Sequence, residues 1–419
     1  MRQPRARRLR ALLAAAVVLA MSACARSDEP TRVPEVTRTD SAGVEIVVNA
    51  VTTAAVPVFA TVDSVPALRI GSLDGRREEQ FGTINDVEPL KDGGAAILDG
   101  QAAEIRLFDS DGTYRMSLGS KGQGPGELES PSVLAALPGD TLAVYDTRPR
   151  RITRFGPDGA LGRITSLEDT RGQIAVASFL PDGRLLGQSR WLNPNGGVLP
   201  REEPTFVRDT VVLMLFSTDG SLQDTIDILP SREAIQSIQV GDGSVSVTKR
   251  TAAFGRTNVF AGHPDGIWSS SNDRFELRLR ELGSGRLIRI VRAPGLEEPI
   301  TEELARAIQD RAVAEAETPD ERRWAEAWYA LSPRPETKPA YDRVVVDDQA
   351  RVWVRTWSAP EPATRWWVFD GGGDLLGSVD VPRGMTLTAV RCGWAWGVEH
   401  DEFDVGYVVR YTLRGVNGC

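Results

Sequence analysis

Two histidines, His263 and His400, are all the imidazole that this 419-residue chain offers. General-base or metal chemistry built on His would have to use these two or none. His263-Pro-Asp-Gly266 stands in a turn that other parts of the chain build without His. His400-Asp401-Glu402, followed by Asp404, is an acidic cluster whose oxygens could hold Ca²⁺. Its spacing does not match an EF-hand loop, and a solvated acidic hairpin is the plainer account, so no metal site is assigned. No Gly-x-Ser-x-Gly nucleophile elbow occurs, which removes that route to acyl transfer.

The most motif-like stretch is Gly119-Ser-Lys-Gly-Gln-Gly-Pro-Gly-Glu127. Small residues in series can present successive backbone N–H groups as an anion nest, with Lys121 and Glu127 as the polar side chains at hand. The stretch lacks the Gly-Lys-Ser/Thr ending of a phosphate-binding loop and no helical pattern follows it, so it reads as a tight crossover between sheets. Glu104 and Arg106 alternate with apolar neighbours and share one strand face, where they can pair. Asp99 and Asp146 end strands and suit turn capping. Trp324 and Trp328, four residues apart, share one face of a helix and read either as core or as a lid that docks a partner.

The elements that would position these residues announce themselves as a repeat. An apolar strand ending in an aromatic residue, with Gly four positions later, stands at IRLFDSDG (105–112), ITRFGPDG (152–159), LMLFSTDG (213–220), WWVFDGGG (366–373) and VVRYTLRG (408–415). A degraded copy runs from Leu277 to Gly285. A second phrase, apolar residue plus turn, precedes each copy at Leu90, Leu137, Leu180, His263, Val346 and Val390. Such periodicity predicts an all-β chain, a six-bladed β-propeller, because each copy is a small sheet that cannot bury both faces alone.

Between the fourth and fifth copies the period changes from two to 3.6. Ile300, Leu304, Ala307, Ile308 and Arg311 share a helical face, and Thr318-Pro-Asp-Glu321 is a capping box with Pro at the first helical position. A helical hairpin insertion is therefore expected over about 300–331. A long loop rich in Pro, Gly and Asn is expected from Trp191 to Arg208. The chain has length for only three strands in the last blade. The early strand at 66–71 is expected to complete that blade by terminal strand closure, with Val44 to Val48 as the alternative.

The amino terminus is basic, then apolar, then Ser22-Ala23-Cys24. It resembles the signal peptide (1–23) and lipobox of bacterial lipoproteins, in which the Cys is acylated and anchors the protein in the membrane without a spanning helix. Residues 24–40 read as a flexible tether and 41–419 as the propeller. Ala at position 25 favours the outer membrane, facing the periplasm, by resemblance to Gram-negative sorting. Cys392 and Cys419 are a possible disulfide in an oxidising compartment. With Cys24 lipidated, no Cys–His pair is left for catalysis. The net charge of −9, more negative once the leader's five Arg are gone, argues against nucleic-acid binding.

Phe81-Gly82, Asp92-Gly93, Ile97 to Asp99, Glu104 to Asp109 and the Gly119 to Glu127 stretch together resemble the six-bladed propeller lipoproteins of environmental Gram-negative bacteria, which are similar to NHL-repeat propellers. The resemblance covers roughly residues 40–415 and implies the fold and export, with no particular activity. Wider six-bladed relatives include lactonases, lyases and pure binding modules. The expectation is thus a binding or scaffold module, partnered by an envelope protein or a small-molecule ligand. A lyase or hydrolase with a carboxylate-held cation in the central channel is the alternative.

Overall fold

A computed structural model describes residues 35–168, 174–190, 203–241, 244–357 and 364–416. Among them the protein is all-β, with two α-helices: α1 (Glu302–Ala314) and α2 (Pro319–Leu331). It is built of antiparallel sheets in a β-propeller-like arrangement. Six sheets share one plan, four strands in up-and-down order, and we number them I to VI along the chain. Sheet I opens with the strand Ile84–Pro89, II with Pro131–Leu137, III with Ile174–Phe179, IV with Asn258–His263, V with Arg343–Val346 and VI with Thr386–Arg391. Each first strand packs against the first strand of the next sheet, and that of VI packs against that of I.

Burial changes with strand position for a simple reason. Second strands such as Ala95–Asp99 are covered by neighbouring sheets on both faces, so they are continuous apolar runs without alternation. Fourth strands such as Tyr114–Leu118 lie at the periphery and alternate. First strands are half-buried because they line the space that the sheets enclose. An apolar cluster fills every interface: Leu98 with Val144 between I and II, Tyr145 with Phe216 between II and III, Leu213 with Ile267 between III and IV. Trp268 with Phe369 joins IV to V, Trp353 with Tyr411 joins V to VI, and Val408 with Phe108 joins VI to I.

The repeated aromatic–Gly phrase is the third strand and the turn into the fourth. Sheet VI has three strands of its own, and Leu68–Ile70 pairs with Gly406–Arg414 as its fourth, in the register Val408 to Ile70. Val44–Ala50, the other early strand, instead lies parallel to Leu287–Arg292 at the edge of sheet IV. Residues 35–40, read as tether, belong to the strand Glu35–Ser41, which pairs with Val44–Ala50. Val36, Thr37 and Thr39 supply β-branched side chains, and Ala42-Gly43 turns the chain with φ of 55° and 80°.

A further three-stranded sheet was not expected. Thr205–Val207, within the stretch read as loop, pairs with Ala234–Gly241, which forms a hairpin with Ser244–Thr251. α1 and α2 lie in the chain between the last strand of sheet IV and the first of V, and pack on this hairpin. Ile235 and Phe254 meet Ala305, Ile308, Ala312 and Trp328 in one apolar cluster. The helix starts are as the sequence specifies: Thr301 accepts the N–H of Leu304, and Thr318 and Glu321 form a reciprocal capping box. No described helix is long and apolar enough to cross a membrane.

Candidate functional site

The connections from one sheet to the next, and the turns between second and third strands, gather at one mouth of the enclosed space. Asp99 and Asp146, each at the end of a second strand and fully buried, hold that mouth together. Asp99 accepts the N–H groups of Gly82 at 3.1 Å, Gln101 at 3.0 Å and Ala102 at 2.9 Å. Asp146 accepts those of Glu129 and Ser130, both at 2.7 Å. Each carboxylate thus ties its strand end to the segment that leads into the first strand of the same sheet. Asp99 also caps the turn that follows it, by the side-chain bonding expected of Asp there.

Arg106 does more than pair on a surface. It is 4% exposed and meets Asp99 at 3.1 Å and Glu104 at 2.7 Å. It also donates to the carbonyls of Glu78 and Gln80, at 3.2 and 2.6 Å. The guanidinium therefore fixes the segment 78–82 against sheet I. That segment is one wall of a cleft of about 690 Å³ between sheets VI and I. Arg77, Phe81, Gln101, Lys121 and Asp404 line it, from stretches far apart in sequence.

Within that lining the charges are unequally matched. Arg106 is shared by Asp99 and Glu104, which leaves that trio one negative charge in excess, whereas Arg77 and Lys121, like Asp404, are exposed and have no ion-pair partner among the described residues. Of the residues singled out from sequence, Lys121 lines the cleft, and the turn that carries His400, Asp401 and Glu402 reaches it through Asp404.

The others are placed elsewhere or otherwise occupied. Glu127 turns inward, its carboxylate accepting the N–H of Gly124 at 2.7 Å, so the Gly-rich loop fills its own nest. A Cβ at Gly122 would stand 2.1 Å from that carboxylate, so a larger residue there would turn Glu127 out of the loop. The carboxylate of Asp401 accepts the N–H groups of Phe403 and Val405 and the hydroxyl of Tyr407; desolvation, the largest single influence, raises its pKa, but these bonds together outweigh it and hold the group below the usual carboxylate range. His400 and Glu402 are exposed. Among the described residues no three His, Cys, Asp or Glu side chains converge as metal ligands.

Trp324 and Trp328 do not face the cleft. Trp328 is buried in the helix–hairpin cluster and donates its indole N–H to the carbonyl of Thr251 at 2.7 Å. Trp324 is half-buried, 3.4 Å from the Ser237 hydroxyl, and Arg250 lies over both rings. His263 is buried between sheets IV and V, its Nε2 3.1 Å from the carbonyl of Ala350, and desolvation lowers its pKa. Cys392 sits in the turn after Arg391 with φ of 53° and is disulfide-bonded. Cys24 and Cys419 lie outside the described residues.

Comparison with known proteins adds little. No protein family and no curated protein matches the sequence. Among solved structures, a Bacteroides fragilis protein assigned as exported is 11% identical, covering 84% of this chain and 98% of its own, with a TM-score of 0.47. Virginiamycin B lyase from Staphylococcus aureus is 11% identical over 82% of this chain and 98% of its own, TM-score 0.38. Regucalcin, a calcium-binding protein from Agrobacterium tumefaciens, is 12% identical over 84% and 96%, TM-score 0.38.

A second polar group, which sequence reading missed, lies inside the ring of first strands. Asp86 and Glu88, two residues apart on the first strand of sheet I, reach across to the first strand of sheet II. Asp86 accepts the N–H of Leu134 at 2.9 Å and Glu88 that of Ala136. Burial raises the pKa of both, and the Asp86 charge helps push Glu88 up to about 8 despite the opposing effect of Arg391. Arg391 stands 3.5 Å from Glu88, and Arg355 pairs with Asp342 at 2.6 Å. The side chains of Glu88 and Arg391 retain 24% and 29% of their exposure, so water reaches this interior. Two acids at i and i+2 in the strand that opens a repeat were the available signal.

Proposed function

We propose that the six sheets are the blades of a six-bladed β-propeller, and that the protein is an exported, lipid-anchored binding module whose ligand is met in the cleft between sheets VI and I. The packing of each first strand on the next, and of the sixth on the first, supports the blade count. The helical insertion then falls between blades 4 and 5. The lipobox-like Cys24 supports anchoring, with the outer membrane's periplasmic face as the location.

The observation that carries the binding reading is the cleft itself, built from four separated stretches and carrying Arg77 and Lys121 without partners. A site assembled at a mouth by loops of several blades is how this architecture recognises small polar molecules. Two exposed cations without an ion-pair contact offer their N–H groups to a ligand with negative or strongly polarised oxygen. Of the carboxylates nearby, Asp99 and Glu104 are committed to Arg106 or to backbone N–H groups, and Asp404 alone is left over, which leaves a divalent cation poorly served and makes binding the better reading than metal-dependent lysis or hydrolysis.

Thermal unfolding of the full-length protein in detergent, with phosphate, citrate and glucose as probes, tests this. Stabilisation by an anionic probe is expected, and Arg77→Ala combined with Lys121→Ala should abolish it. Equal or absent shifts for all three probes would overturn the cleft as a ligand site. Cys24→Ser should move the protein from the membrane fraction to the soluble one, and continued membrane association would overturn lipid anchoring.

A further inference from the structure

The cleft between sheets VI and I does not end at sheet I. Gln101, in the turn between the second and third strands of that sheet, lines the cleft on one side and a second pocket of about 370 Å³ on the other. Its amide lies directly over Gly82, where a Cβ would stand 2.3 Å from Oε1, so the wall between the two spaces is one exposed side chain resting on a glycine. Gly82 lines the cleft, and Thr83, the next residue, lines the second pocket. The two spaces are consecutive stretches of one groove that crosses sheet I at the mouth.

The chemistry changes along the groove. At the cleft end stand Arg77 and Lys121, whose exposed N–H groups meet no carboxylate among the described residues. The second pocket, between sheets I and II, carries one acid, Glu129, and this is paired with Arg148 at 2.9 Å. What the pocket offers is neutral. The hydroxyls of Thr83 and Ser130 and the amide of Gln101 make no hydrogen bond among the described residues. The Asn85 amide donates to the carbonyl of Pro131 at 2.7 Å, which leaves its oxygen as an acceptor. Hydroxyl and amide groups that can donate and accept match a ligand whose own groups do both, as the hydroxyls of a sugar do. Phe81, half-buried beside Gly82 with Arg106 over its ring at 5.1 Å, adds an apolar surface of the kind that the C–H face of a sugar ring covers. A simple anion would use the cations and leave the second pocket to water, and a neutral glycan would leave the cations unused. One acidic unit followed by neutral hydroxyl-bearing units uses the whole groove.

We propose that the groove binds an acidic oligosaccharide, with the carboxylate of a uronic acid unit on Arg77 and Lys121 and neutral sugar units crossing Gln101 into the pocket between sheets I and II. The cleft as a ligand site underlies this assignment, which adds the class of ligand that it takes.

Isothermal titration calorimetry on the full-length protein, in a detergent without a sugar headgroup, tests it. The probes are glucuronic acid, glucuronosyl-xylobiose, which has the same single charge and two neutral units, xylotriose, and AMP. The acidic trisaccharide should bind about tenfold or more tighter than glucuronic acid or xylotriose. Thr83→Val with Ser130→Ala removes two hydroxyls that bond to nothing else described, and should weaken the trisaccharide about fivefold more than it weakens glucuronic acid. Ser130→Trp, which fills the second pocket, should bring the trisaccharide down to the affinity of glucuronic acid. Arg77→Ala with Lys121→Ala should weaken both acidic sugars about tenfold or more. Equal binding of glucuronic acid and the trisaccharide, both dependent on Arg77 and Lys121, would overturn the oligosaccharide and leave the cleft standing as a ligand site. Binding of AMP tighter than the trisaccharide would also overturn it, and no dependence of any probe on Arg77 and Lys121 would overturn both readings.

Discussion

Asp146 receives the backbone N–H of Ser130 at 2.7 Å, and Asp99 receives that of Gly82 at 3.1 Å, so successive sheets use one device to fasten the chain as it enters the ring. The two differ in what removal leaves behind. Asp146→Ala orphans two half-buried donors and should cost about 1–3 kcal/mol for each that water cannot reach. Asp99→Ala orphans three donors and also takes from the buried Arg106 guanidinium one of its two carboxylates, Glu104 remaining, so it should cost more, about 3–5 kcal/mol in all. Urea unfolding of both variants checks the order, and equal losses would show that Arg106 finds compensation elsewhere.

The helical insertion is tied to the hairpin 234–251 by Trp328 far more than by Trp324. Trp328→Ala removes a buried ring together with its hydrogen bond to Thr251, and should destabilise by about 3–5 kcal/mol. Trp324→Ala, at a half-buried position, should cost about 1 kcal/mol. Hydrogen exchange of α1 and α2 should rise in the first variant and change little in the second. A Trp328→Ala protein as stable as wild type would mean that the helices are not held by this core.

Asn49 shows how an added amino-terminal strand becomes part of the ring. It is fully buried, donates to the carbonyl of Gly373 at 3.0 Å and accepts the N–H of Leu375 at 2.8 Å, linking the edge strand of sheet IV to the third-to-fourth turn of sheet V. Asn49→Ala leaves both groups without partners and should cost about 1–3 kcal/mol per group. Asn49→Asp should cost less at the Leu375 N–H and more at the Gly373 carbonyl, since a carboxylate accepts but cannot donate. Denaturant midpoints of the two variants separate these contributions.

Local pattern made much of this legible. The aromatic–Gly phrase located the third strands, the turn phrase located the hairpins, and the capping box at Thr318 located α2 to the residue. The strand at 68–70 was readable because it repeats the fourth-strand pattern of sheet I. What escaped depended on distance in sequence. The parallel pairing of Val44–Ala50 with Leu287–Arg292 leaves no turn signal between the partners. The hairpin 234–251 follows no repeat phrase. The polar interior was hidden because its members come one or two to a sheet, Asp86 and Glu88 from one and Arg391 from another, so no stretch of sequence shows the group.

Glu88 carries a pH signature that follows from its place in the ring. Burial and the neighbouring Asp86 push its pKa up to about 8, from an ordinary value of 4.5 in the unfolded chain. Between those values the folded protein holds a proton that the unfolded chain has released. The unfolded state then binds fewer protons, so stability falls as pH rises through this window and levels off above about 8. Asp86, also raised by burial, contributes in the same direction. Glu88→Gln cannot titrate yet keeps an acceptor for the Ala136 N–H, so its urea midpoint should depend less on pH between 5 and 8, roughly the interval that separates the two protonation states. The same slope in variant and wild type would show that Glu88 ionises normally, and that the ring interior is wetter than its packing implies.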